Sequence, residues 1–231
     1  MKRVVFAVAL LCSATLAFAA PVTPFTETFN TGNSDWRQNV SANFATWTAN
    51  GGPAGVGDGY ISATYATINS GSVLLRGTGN ATPPASGGAF VGDWIAGGVK
   101  SINFWVRHTN STPLTLGLRM ASPTGGQAMI GLASTPVDPN VWTQVSVPLN
   151  PNTLTPEAIG AMTLDQYYTA VFSNILNVQL TYTASSPATN ATFDMSSLTL
   201  SADPLPEPGT WSALAAAAAI GGVVWRRRRA K

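Results

Sequence analysis

Leu114-Thr115-Leu116-Gly117-Leu118-Arg119-Met120 alternates without a break. In an extended chain Leu114, Leu116, Leu118 and Met120 fall on one face and Thr115, Gly117 and Arg119 on the other, so the stretch predicts a strand with one buried side. The same period of two recurs on both sides of it. In Lys100 to His108 the apolar set is Ile102, Phe104 and Val106, opposite Asn103, Trp105 and Arg107. In Val141 to Leu149, Val141, Thr143, Val145, Val147 and Leu149 share a face, opposite Trp142, Gln144, Ser146 and Pro148. In Ile175 to Thr183, Leu176, Val178, Leu180 and Tyr182 stand against Asn177, Gln179 and Thr181. Shorter strand candidates are Phe25–Phe29, Phe44–Ala49, Tyr60–Ala66, Val73–Arg76, Ala128–Ala133 and Thr192–Leu200. The last changes phase between Met195 and Leu198, which predicts a bulge at Ser196-Ser197. One helix is expected over Leu164 to Ser173, with Thr163 as N-cap and Gln166 completing a capping box. Gly77 to Gly88 reads as a long surface loop. About eight to ten antiparallel strands with irregular connections predict an all-β fold, a two-sheet antiparallel jelly-roll β-sandwich with one short helix.

Composition bounds what surrounds this domain. The 231 residues leave room for one medium domain and its ends. With 45% hydrophobic and 10% charged residues, the chain has the opposite of a disordered composition. The formal charge of +2 is concentrated at the termini: Lys2 and Arg3 open the chain, and Arg226 to Arg229 with Lys231 close it. Residues 21–205 hold five basic side chains, Arg37, Arg76, Lys100, Arg107 and Arg119, against nine acids, a net of −4. That body has no electrostatic case for binding nucleic acid.

Both ends read as addresses. Lys2-Arg3, the apolar run Val4 to Leu11 and Ala17-Phe18-Ala19 give the charged, hydrophobic and small-residue regions of a secretory signal over residues 1–19. The Sec translocon and signal peptidase are the expected partners there. Cleavage removes Cys12, the single cysteine, so the mature chain has no disulfide. Residues 20–203 form the sandwich domain. In 204–231 a proline-stiffened linker precedes the uncharged run Thr210 to Trp225, just long enough to span a bilayer as a single transmembrane helix. Trp211 and Trp225 bracket the run, and the arginines after it fix that end in the cytoplasm.

Leu205-Pro206-Glu207-Pro208-Gly209-Thr210-Trp211, the alanine-rich segment and the terminal cluster Arg226-Arg227-Arg228-Arg229 closely resemble the PEP-CTERM sorting signal of Gram-negative bacteria. The resemblance implies an exosortase-type transpeptidase as partner. It also implies an inner-membrane-anchored precursor and delivery to the cell surface or an exopolysaccharide matrix. Pro206, Glu207, Pro208 and Gly209 would then be the processing motif and Arg226, Arg227, Arg228 and Arg229 its sorting cluster. Family members share the tail and differ in the body, so activity is not implied. Phe25-Thr26-Glu27-Thr28-Phe29 with Trp36, Val141-Trp142 leading to Val147-Pro148-Leu149, and Phe193 to Leu200 resemble strands of galactose-binding-like jelly rolls found in carbohydrate-binding modules. Such jelly rolls often hold a structural calcium between first and last strands, which implies Glu27 and Asp194 as Ca²⁺ ligands.

The polar face is where function is expected. Asn103, Trp105, Arg107, Arg119, Trp142, Gln144, Asn177 and Gln179 would project together if their strands share one sheet. Pyranose rings lie on indole while amides and guanidinium groups bond hydroxyls. The expected polysaccharide site is therefore Asn103, Trp105, Arg107, Trp142, Gln144 and Gln179. Trp105 and Trp142 covered by loops would instead be secondary core. Enzyme motifs are missing: no G-x-S-x-G, no H-E-x-x-H, and a lone His108 at a strand end. Glu27, Asp93, Glu157 and Asp165 are available to a glycosidase, but no spacing selects a pair. The leading expectation is a non-catalytic polysaccharide-binding module on an exported protein. An enzyme acting on polysaccharide and a structural matrix protein with no ligand are the alternatives.

Overall fold

The computed structural model describes residues 19–39, 42–123 and 126–202. The signal segment before Ala19, the sorting motif Pro206 to Gly209, the transmembrane run and the arginine cluster lie outside the described residues. The elements in chain order are β1 (Phe25–Glu27), β2 (Arg37–Gln38), β3 (Thr46–Thr48), β4 (Tyr60–Ile68), β5 (Val73–Thr78), β6 (Ser101–His108), β7 (Thr115–Ala121), β8 (Ala128–Leu132), β9 (Thr143–Pro148), β10 (Thr155–Pro156), α1 (Leu164–Phe172), β11 (Asn177–Thr183) and β12 (Ala188–Ser201). Sheet I runs β3-β4-β12-β6-β9, with β1 also paired to β12. Sheet II runs β10-β8-β7-β11-β5-β2. Every pairing is antiparallel, and the two-sheet sandwich expected from the alternation is the observed architecture.

Alternation builds the core. Ile102, Phe104 and Val106 of β6 and Phe193, Met195, Leu198 and Leu200 of β12 face Leu116, Leu118 and Met120 of β7 and Val178, Leu180 and Tyr182 of β11, all buried. Each such aliphatic side chain contributes about 1.5–3 kcal/mol when withdrawn from water. A one-residue slip would turn the whole set outward, so the pattern also fixes register. Gly131 lies where a Cβ would run into Val147 of the opposite sheet, and its missing side chain lets the layers meet. The phase change in β12 is resolved as expected: the register with β6 shifts between Ser196 and Thr199, and Ser197 takes φ 47°. The capping box also forms. Gln166 N–H donates to Thr163 Oγ1 at 3.3 Å and Thr163 N–H to Gln166 Oε1 at 2.9 Å. α1 buries Tyr167, Val171 and Phe172, and Phe172 packs on Trp94.

Three expectations are corrected. Val141 is 52% exposed rather than core, because β9 begins only at Thr143. The supposed loop from Gly77 gives its first two residues to β5, and Ala85 within it is buried. The strands carrying the polar face do not share a sheet. β6 and β9 belong to sheet I, whereas β7 and β11, with Arg119, Asn177 and Gln179, belong to sheet II.

His108 closes β6 in full burial, its Nε2–H donating to Val137 O at 2.9 Å while Nδ1 is sealed without a partner. Burial pulls the imidazole below its ordinary 6.5, against the opposing effects of Val137 and Asp138. An unfolded chain takes up this proton near pH 6.5, but the native state does so only at lower pH. Stability is therefore lost as pH falls through about 6.5, and the loss levels off once the native imidazole is itself charged. In thermal unfolding between about pH 7.5 and 5, the wild-type melting temperature should fall more steeply than that of His108→Gln. Parallel profiles would remove His108 as the cause.

Candidate functional site

Outward side chains of sheet I form cross-strand rows. Thr46, Ser62, Asp194 and Arg107 occupy one, Ser196, Trp105 and Gln144 the next, and Thr199, Asn103 and Ser146 the one beyond. Arg107 is wholly engaged. Its Nε donates to Asp194 Oδ2 at 2.8 Å, and its guanidinium lies 4.6 Å from the Trp142 ring centroid and 5.3 Å from that of Tyr60. Asp194 is buried, which pushes its carboxyl up, while the bond and charge of Arg107 pull it back. Trp142 Nε1–H donates to Gly51 O at 2.9 Å, and the ring meets Tyr60 edge-on at 5.5 Å. Ser196 donates to Gly59 O at 2.8 Å. The segment between β3 and β4 is thus tied down over this half of the face. Trp142 and Arg107 are parts of a built cluster rather than a free platform.

Trp105 differs. It is half-buried, and among the described residues no ring or cation stacks on it. Gln144, directly across the ladder, is exposed, as is Ser146. Asn103 is buried, donates to Ser101 Oγ at 3.3 Å, and keeps an Oδ1 without a partner.

On the opposite side of the sandwich, sheet II sets out a second row: Ile130, Arg119, Gln179, Arg76 and Arg37 on five adjacent strands. Arg119 makes a two-pronged pair with Glu157, Nε to Oε1 at 2.6 Å and Nη2 to Oε2 at 2.7 Å, and its Nη1 donates to Gln179 Oε1 at 2.6 Å. Arg76 donates from Nε and Nη2 to Asn177 Oδ1 at 3.3 and 3.2 Å. Arg37 donates to Ala42 O at 2.8 Å and lies over the Phe44 ring. Gln179 therefore belongs to a different face from Asn103, Trp105, Arg107, Trp142 and Gln144. The roles of Arg37 and Arg76 were missed in the sequence; the signal available was that only five cations exist in the body.

Glu27 and Asp194 do not meet. Glu27 pairs with Leu198, a core residue, and its Oε1 accepts from Phe29 N at 3.0 Å. Asp194 sits four positions back along β12, beyond the bulge at Ser197, and on the outer face rather than the core side that Leu198 faces. A calcium with ligands at about 2.5 Å cannot use both. Among the described residues no group of three or more His, Cys, Asp or Glu side chains converges. The remaining carboxylates are spread: Asp93 caps Ala96 N, and Glu157 is held by Arg119. A cleft of about 460 Å³ between the β6–β7 and β11–β12 connections is lined by Asn110, Thr112, Thr115, Thr183 and Ser185 among others, with neither carboxylate nor imidazole.

No family model and no curated protein matches this chain. Among solved structures, the family 11 carbohydrate-binding module from Clostridium thermocellum, in complex with a β-1,3-1,4-mixed-linked tetrasaccharide, is 13% identical with a TM-score of 0.45, over 79% of this chain and 97% of its own. The CBM22-1 and GH10 modules of a Clostridium thermocellum endo-1,4-β-D-xylanase, complexed with xylohexaose, are 13% identical with a TM-score of 0.47. That match takes in 78% of this chain, which spans only 28% of the xylanase chain. The L4b domain of human laminin alpha-2 is 9% identical with a TM-score of 0.43, over 77% of this chain and 97% of its own.

Proposed function

We propose that the chain is an exported surface or matrix protein, sorted through its C-terminal tail by an exosortase-type system, whose sandwich binds extracellular polysaccharide without catalysing a reaction on it. The observation that carries the binding is Trp105. An indole left half-open on a sheet, with an exposed amide across the ladder, offers a sugar ring an apolar surface and hydroxyl partners together. Asn103, the next outward residue on β6, is buried and supports the floor beside Trp105 rather than meeting the ligand. Arg107 and Trp142 hold the neighbouring surface in shape. The sorting half of the reading rests on the sequence, on Pro206 to Gly209 and Arg226 to Arg229 in order around an uncharged run.

One experiment reads both halves. Wild type and Trp105→Ala are expressed in an exosortase-bearing host, the cell surface is separated from the medium, and the recovered protein is weighed intact. Wild type should be retained with its surface polysaccharide and should lack the hydrophobic tail. Trp105→Ala should be shed into the medium while the purified variant still unfolds in a single cooperative transition, so that lost retention is not lost folding. Retention of the variant would remove the platform. Lys231 still attached would reduce the tail to a plain anchor.

A further inference from the structure

The body of this protein is net acidic, yet three of its five cations stand in one row on one face of sheet II. β7, β11, β5 and β2 are consecutive in the sheet, so the row from Arg119 to Arg37 is about 14 Å long at ordinary strand spacing. Its positive charge is left largely uncompensated. Glu157 answers Arg119, but among the described residues neither Arg76 nor Arg37 has a carboxylate partner. Arg37 Nε is sealed from solvent with no acceptor. Desolvation, then repulsion from Arg119 and Arg37, lowers the Arg76 pKa from its ordinary value, the mark of cations held together at a cost. Arg37 and Arg76 stand directly opposite across the ladder, where like charges destabilise one another.

From this row we infer a second ligand site, distinct from the Trp105 face, that binds a carboxylated polysaccharide such as a polyuronate. Arginine is the side chain suited to grip a carboxylate with two parallel donors. Between the arginines Gln179 and Asn177 are buried, and their side-chain oxygens accept from Arg119 and Arg76, which holds the guanidinium groups in place along the row. Arg37 and Arg76 sit one strand apart, and Arg76 and Arg119 two, which suits charges spaced sugar by sugar along an extended chain. A polyphosphate backbone fits less well. Its charge density would meet the repulsion of the acidic remainder of the body.

The test uses the purified full chain in affinity electrophoresis through polygalacturonate, its methyl ester and duplex DNA. Retardation by polygalacturonate is expected at low ionic strength, relieved by salt, with the neutral ester at least about tenfold weaker. Arg76→Gln with Arg119→Gln should weaken polygalacturonate binding about tenfold or more. Glu157→Gln, which frees Arg119 and keeps every cation, should strengthen it and does not depend on the loss variants folding. Trp105→Ala should leave this binding unchanged, so failure here is separable from failure of the platform on sheet I. Equal retardation by the ester, or no response to either arginine or Glu157 variants, overturns the site. Tighter binding to DNA overturns the polysaccharide in favour of a nucleic-acid ligand.

Discussion

Arg107→Ala should cost the domain about 3–5 kcal/mol of folding free energy at neutral pH, because it strands a buried charge. Asp194 is 3% exposed and has Arg107 as its ion-pair partner at 2.8 Å. The same substitution removes the guanidinium that lies over the Tyr60 and Trp142 rings. Burial already raises the Asp194 carboxyl, so its ionised form is the one the fold disfavours, and without Arg107 that bias grows. The penalty is therefore full above the folded pKa and fades as pH falls through it, opposite to the usual carboxylate. Denaturant unfolding should show the deficit narrowing on acidification. Arg107→Ala with Asp194→Asn should recover most of it at neutral pH. A loss under about 1 kcal/mol in the single variant would mean that Asp194 does not depend on Arg107.

Trp36→Ala should be of similar size, about 3–5 kcal/mol, for a different reason. Trp36 is fully buried just before β2, meets Phe29 edge-on at 5.9 Å and Phe90 at 6.0 Å, and donates from Nε1 to Ser86 Oγ at 2.9 Å. Its ring lies against Gly77, where a Cβ would come within 2.7 Å. Removing it leaves a cavity that a sheet edge cannot close by side-chain shifts alone, and a hydroxyl that loses its donor. Melting should fall by roughly 6–20 °C in a domain of this size. A shift of under about 2 °C would show that the β2 end is dispensable to the core.

Much of this was legible in the residues. Alternation in Lys100 to His108 and Leu114 to Met120 identified which side chains enter the core, because burying one face is a local demand on each strand. The bulge at Ser197 and the Thr163 cap were legible for the same reason. Which sheet a strand joins is a different question, settled by pairing between segments far apart in the chain. Parity could therefore place Trp105 and Gln179 both outward without revealing that outward means opposite directions for the two. Nor could it show Gly51 and Gly59 tying the segment between β3 and β4 onto Trp142 and Ser196, since those bonds are made by backbone carbonyls that carry no sequence signature.

The position of β12 has a consequence for how such a chain comes into being. The last strand in sequence lies at the middle of sheet I, between β6 on one side and β4 and β1 on the other. Ser196 on it bonds a residue 137 positions earlier. A polypeptide emerging from its N-terminus must present β4 and β6 with open ladders until that strand arrives. Half the sandwich can then close only when nearly the whole body has been synthesised. Meanwhile the waiting edges are exposed to pairing with other chains.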